Sequence, residues 1–104
     1  MITEKRILII GVEHNGQIHR DLEIRSHLVK HLVAASSSEL MAQNKNNYEV
    51  CCLAEQIVRL GDIPKTEITG ALLLEMESED FDVLTEAAQM VRQRTISFRS
   101  KAGI

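Results

Sequence analysis

Apolar residues in the first quarter of the chain fall in two short blocks with different textures. Ile7 to Val12 is apolar at nearly every position, whereas Gln17 to Arg25 alternates polar with apolar. Asn15-Gly16 stands between them, and a two-residue type I′ turn needs φ > 0 at both central positions, which Asn and Gly tolerate best. The pattern therefore predicts a β-hairpin, with strands near 6–13 and 17–25. A two-residue turn fixes the register: Glu13 opposite Ile18, Gly11 opposite Arg20, Ile9 opposite Leu22, Ile7 opposite Ile24. In that register Ile7, Ile9, Ile18, Leu22 and Ile24 share one face. Leu8, Ile10 and Val12 lie on the other, opposite His19, Asp21 and Glu23. A hairpin alone is marginal in water, so helices or a second chain must cover it. The mixed face predicts self-association through Leu8, Ile10 and Val12, and hence a homo-oligomer.

Beyond the hairpin the apolar period becomes helical. Leu28, Val29, Leu32, Val33, Leu40 and Met41 predict a helix over about 27–42 with Ser26 as N-cap, open to a break at Ser36-Ser37-Ser38. Val50, Leu53, Ile57 and Leu60 form a stripe that predicts a second helix over about 47–60. Asn46 and Glu49 have capping-box spacing before it, and Gly61 and Pro64 end it. Thr66 is placed to cap a short helix reaching about Glu75, with Gly70 inside it. Ser78 opens a last helix, with Glu79, Asp80 and Asp82 in its first turn and Arg92, Arg94 and Arg99 toward its end, a charge order that suits the helix dipole. Its stripe is Phe81, Leu84, Ala88 and Val91, and its end is expected between Thr95 and Phe98. The fold class is thus α+β: an N-terminal hairpin (6–25), a helical part of about four helices (26–98), a frayed start at 1–5 and a loose tail (99–104), in one small domain. The expected core is Ile7, Ile9, Leu22, Ile24, Leu28, Leu32, Val50, Leu53, Ile57, Leu60, Leu72, Phe81, Leu84, Ala88 and Val91.

Composition narrows the chemistry. The chain has 104 residues, 44% of them apolar but only 3% aromatic, so one modest aliphatic core is expected. A net charge of −3 supplies no general attraction to nucleic acid. No stretch has the length of a membrane span or the form of a signal peptide, which points to the cytoplasm. Cys51 and Cys52 are adjacent, so on a helix they point about 100° apart, and they read as small buried residues rather than a metal or redox pair. His27 and His31 have i, i+4 spacing, a geometry able to hold a metal. They lack the acidic partner of a zinc-protease motif and read as solvated surface, as do His14 and His19. Glu75, Glu77, Glu79, Asp80 and Asp82 lack the glycine and spacing of a calcium loop. No nucleophile elbow, phosphate loop or dinucleotide fingerprint occurs. The expectation is a non-enzymatic binding protein with no cofactor, no metal, no small-molecule substrate and no nucleic-acid or membrane partner.

The order of features carries a resemblance. A hairpin ends in Leu22-Glu-Ile-Arg25. A helix then runs into Ile57-Val-Arg-Leu-Gly-Asp62, and a step from Ser78 through Phe81 to Leu84 opens the last helix. From about Ile7 to Arg94 the chain resembles the phage tail assembly chaperone family of contractile-tailed and Mu-like phages and prophages. The resemblance implies an assembly factor of the host-cell cytoplasm that coats the long helical tape-measure protein while the tail tube forms, and that is absent from the finished virion. An aliphatic surface of modest affinity suits such a role. The competing class is a small dimeric regulator, antitoxin-like or transcription-associated. A DNA-binding version calls for a basic recognition helix, whereas helix 47–60 carries only Arg59 and helix 27–42 only Lys30.

Overall fold

Asn15 and Gly16 both take positive φ, 52° and 76°, and close the hairpin between β1 (Thr3–His14) and β2 (Gln17–Arg25). In this computed structural model, which describes residues 1–101, the chain continues through α1 (Val29–Ser36), α2 (Glu39–Gln43), α3 (Tyr48–Gln56), β3 (Ile57–Leu60), α4 (Gly70–Leu74) and α5 (Ser78–Lys101). Short 3-10 turns at Lys45–Asn47 and Lys65–Glu67 precede α3 and α4. The fold is α+β: a three-stranded antiparallel sheet in the order β1-β2-β3, with α5 lying along β1 and β2.

The register next to the turn is the expected one, with Glu13 opposite Ile18 and His14 opposite Gln17. Farther from the turn it shifts. Between Val12–His19 and Ile7–Asp21, residues 8–11 of β1 face Arg20 alone. This bulge adds three residues to one strand, and an odd insertion turns every side chain beyond it to the opposite face. Leu22 therefore faces Arg6 and Ile24 faces Glu4, not Ile9 and Ile7. The expected faces are corrected accordingly. Leu8 and Val12 are buried inside the chain, so they are not available as the outward contact expected of them, while Ile10 remains exposed. Ile7 and Ile9, expected in the core, are exposed.

Further expectations change. Residues 57–60 form a strand, not the end of a helix. Ile57 and Leu60 are three apart, a spacing that shares one face in a helix but also in a strand that bulges by one residue. Here Glu23 pairs Arg59 and Ile24 pairs Ile57, so Val58 is the extra residue. The helix stops at Gln56, whose side-chain amide donates to the Arg25 carbonyl, and the Ala54 carbonyl accepts both the Ile57 N–H and Lys65 Nζ. Leu28 rather than Ser26 occupies the N-cap position of α1, and the first helical span does break at Ser37-Ser38. Thr69 rather than Thr66 caps α4, which places Gly70 in its first turn instead of its interior, and Asn44 rather than Asn46 supplies the side-chain acceptor before α3. At the ends, β1 already begins at Thr3 and α5 continues through Lys101. The frayed start and the loose tail are thus corrected as far as residue 101, and residues 102–104 lie outside the described residues.

The main core joins Leu8, Val12, Leu22 and Ile24 of the hairpin to Leu53, Ile57, Leu60, Leu73 and the α5 stripe Leu84, Ala87 and Val91. Of the other expected core residues, Val50, Leu72, Phe81 and Ala88 pack at its margin and Leu28 is exposed. A second small cluster of Ala35, Cys51 and Cys52, with Leu32 and Leu40, joins α1 to α3. Charged groups fix α5 to β1. Arg94 donates to Glu4 Oε1 at 2.6 Å and to the Thr3 carbonyl at 2.9 Å, and Arg6 bridges Glu4 and Glu86. Burial raises the Glu4 pKa, but the hydrogen bonds from Arg94 and Arg6 outweigh it and hold the carboxyl below its ordinary 4.5.

Candidate functional site

The α5 stripe contains an acid. Asp80, Leu84, Ala87 and Val91 follow 4-3-4 spacing, and all four are 0% exposed. Asp80 sits in the first turn of α5, so its side chain is aimed at the bulge of β1. The Ile9 N–H donates to Oδ1 at 2.7 Å, the Ile10 N–H to the same oxygen at 3.0 Å, and the Gly11 N–H to Oδ2 at 2.7 Å. Three successive backbone donors converging on one carboxylate form an anion nest closed from within the chain. Gly11 makes the curve possible with φ of 104°, and its backbone lies against Ile18 and Arg20, leaving no room for a Cβ.

The clamp determines what the bulge shows to solvent. With its N–H groups turned inward, Ile9 is 65% exposed and Ile10 39%, beside Ile7 at 66% and Ile18 at 49%. Ile9 and Ile10 thus stand outward on a backbone fixed by charge-assisted hydrogen bonds, next to exposed Ile7, while Ile18 is exposed on β2 opposite Glu13. The sequence reading missed Asp80. The signal was there, an acid on the stripe shared by Leu84 and Val91, but first-turn acids are common enough that helix-dipole matching accounted for it.

His14, His19 and His31 make contacts within the fold. His19 is buried, and its Nδ1 accepts the Asp62 N–H at 3.2 Å, which corrects the expectation of a solvated position. His14 Nε2 lies 3.2 Å from Glu67 Oε1. His27 precedes α1, so His27 and His31 are not one turn apart on a helix. His31 is also buried, and its Nδ1 accepts the Leu28 N–H at 2.8 Å, capping α1. Among the described residues no group of three or more His, Cys, Asp or Glu is placed to hold a metal ion. Burial raises the Cys52 pKa, keeping it a thiol. No helix among the described residues is long and apolar enough to cross a membrane.

Burial, with Arg25 and Lys30 nearby, lowers the His31 pKa below its ordinary 6.5, and a protonated ring would lose the bond it accepts from the Leu28 N–H. The unfolded chain then binds the proton more readily than the folded one. The stability from this cap is complete above about 6.5 and is lost as pH falls toward the depressed folded value. Melting temperature is expected to drop by a few degrees between pH 7.5 and pH 5.5, and His31→Gln, which keeps an acceptor without a titration, should flatten that drop. The Glu4 contribution is lost in a separate window, below about 4.5. An identical slope in the variant would place the titration elsewhere.

Comparisons with known protein families, with curated proteins and with solved structures give no match for this chain.

Proposed function

We propose that this chain is a non-enzymatic tail assembly chaperone of a phage or prophage, which covers the tape-measure protein with aliphatic surface during tail assembly. The observation that carries the reading is the exposed run of Ile7, Ile9 and Ile10 at a bulge that Asp80 clamps. Apolar residues on an exposed, rigid backbone cost solubility and suit a partner with apolar stripes of its own, such as a long helix that would otherwise aggregate. The resemblance in the order of hairpin, helices and final helix supplies the identity of that partner.

The test is co-expression with the tape-measure protein of the same phage or prophage. The wild-type chain should keep the tape measure in the soluble fraction, and the pair Ile7→Asp and Ile9→Asp should lose that effect. Both side chains are exposed, so the variant's own stability should change by less than about 1 kcal/mol. A tape measure that behaves the same with and without the wild-type chain contradicts the proposal. A stable dimer that retards DNA would instead favour the regulator class.

A further inference from the structure

A second surface lies at the other end of α5, roughly 24 Å from the Asp80 clamp by the helical rise. A groove of about 550 Å³ opens there between the start of β1, the β2–α1 connection and the last turns of α5. Ile2, Leu28 and Phe98 give it apolar walls, and Arg25, Arg92 and Arg99 line it as well. Phe98 is 64% exposed and Ile96 53%, an unusual amount of apolar surface for a helix end. Among the described residues none of the three arginines has a carboxylate within 4 Å: the four ion pairs involve Arg6, Arg94 and His14. Arg25 and Arg92 bond only neutral groups, the Ser26 carbonyl and Met1 sulfur for the first and the Ser26 hydroxyl for the second. Neighbouring Arg94, by contrast, is committed to Glu4.

We propose that this groove docks an amphipathic helix of a partner protein that carries carboxylates beside its apolar stripe. The carboxylates meet Arg25, Arg92 and Arg99, and the apolar stripe lies between Leu28 and Phe98. Arg92, Ile96 and Arg99 recur at i, i+4, i+7 on α5, so they form one line along the helix, and a second helix laid beside α5 meets all three. Unpaired guanidinium groups at the border of an apolar surface select carboxylates in that position. The acidic end of a second copy fits less well. Its carboxylates, Glu75, Glu77, Glu79 and Asp82, sit on a turn and a helix terminus and would meet the groove end-on. The inference rests on the reading of the chain as a binding protein, and it adds a site and a partner chemistry which the isoleucine surface does not supply.

The probe is a synthetic helical peptide of about 18 residues, a length near the margin for an isolated helix, with leucines at i, i+3 and i+7 flanked by glutamates, and a control with glutamine at those glutamate positions. Fluorescence anisotropy with the full chain should show the glutamate peptide binding at least about tenfold more tightly than the control, with loss at high salt. Arg25→Gln with Arg99→Gln should weaken it by about tenfold or more, whereas Ile9→Asp should leave it unchanged. Unchanged melting temperatures in both variants exclude loss of fold. Equal affinity for the two peptides, indifference to the arginine variant, or no binding at about 500 μM overturns the proposal. So does self-association of the chain alone that the arginine variant abolishes, which gives the groove to a second copy, or co-sedimentation with phosphatidylglycerol vesicles in place of peptide binding, which gives it to a lipid surface. Loss of tape-measure solubilisation in Ile9→Asp, with peptide binding intact, would leave this site standing and separate the two readings.

Discussion

Asp80→Ala is expected to cost about 4–6 kcal/mol, measured by chemical denaturation, enough to unfold a domain of this size at ordinary temperature. The alanine removes the acceptor for three backbone N–H groups and leaves them in a pocket that excludes water. Each orphaned buried donor costs about 1–3 kcal/mol, and bonds to a charged group lie toward the upper end. Asp80→Asn is an informative companion. It has nearly the same shape, but one oxygen becomes an NH2 that faces a backbone donor, so it too should destabilise, by a smaller amount. A loss under about 1 kcal/mol for Asp80→Ala would mean that the bulge relaxes to recover its hydrogen bonds elsewhere.

Gly61→Ala should cost about 3 kcal/mol or more, from two sources. Gly61 has φ of 55°, which a residue with a Cβ adopts at a cost of about 1–2 kcal/mol. A Cβ there would also collide with the His19 ring, lying 2.6 Å from its Cβ and 2.7 Å from its Cγ. His19 cannot swing aside cheaply, because it is buried and accepts the Asp62 N–H, while the Gly61 N–H holds the Asp21 carbonyl at 2.8 Å. The double variant Gly61→Ala with His19→Ala should lose less than the sum of the single variants, since the second change removes the clash of the first. Strict additivity in the denaturation midpoints would contradict this packing account.

The parts of the fold legible in the sequence were those set by local chemistry. Asn15-Gly16 specifies its own turn, and Ser78 followed by acids marks the start of α5. The triple serine weakens the first helical span where it breaks. What escaped was set by tertiary balance. Nothing local to Leu8–Gly11 announces three extra residues, because the bulge is held from Asp80, some seventy positions away. Beyond the bulge parity reverses, so Ile7 faces Asp21 instead of Ile24, whereas Val12, on the turn side, keeps His19 as its partner and is buried with it. Ile57 and Leu60 read as core from the sequence but in a helix, because their spacing fits both a helix and a bulged strand. Pairing with the open edge of β2 decides between them, and that edge is visible only when the sheet is assembled. The candidate surface was half legible: its isoleucines were conspicuous, but their direction depends on the clamp.

A buried carboxylate fixes a non-ladder segment of an edge strand so that it displays aliphatic side chains rigidly. Amide hydrogen exchange in the free native chain tests it most directly. Ile9, Ile10 and Gly11 donate to no strand, so an unclamped bulge would exchange at the pace of the exposed turn at Asn15 and Gly16. The Asp80 clamp predicts that these three amides instead exchange as slowly as ladder amides of β2 such as Leu22 and Ile24. Exchange at the rate of the hairpin turn would contradict the account.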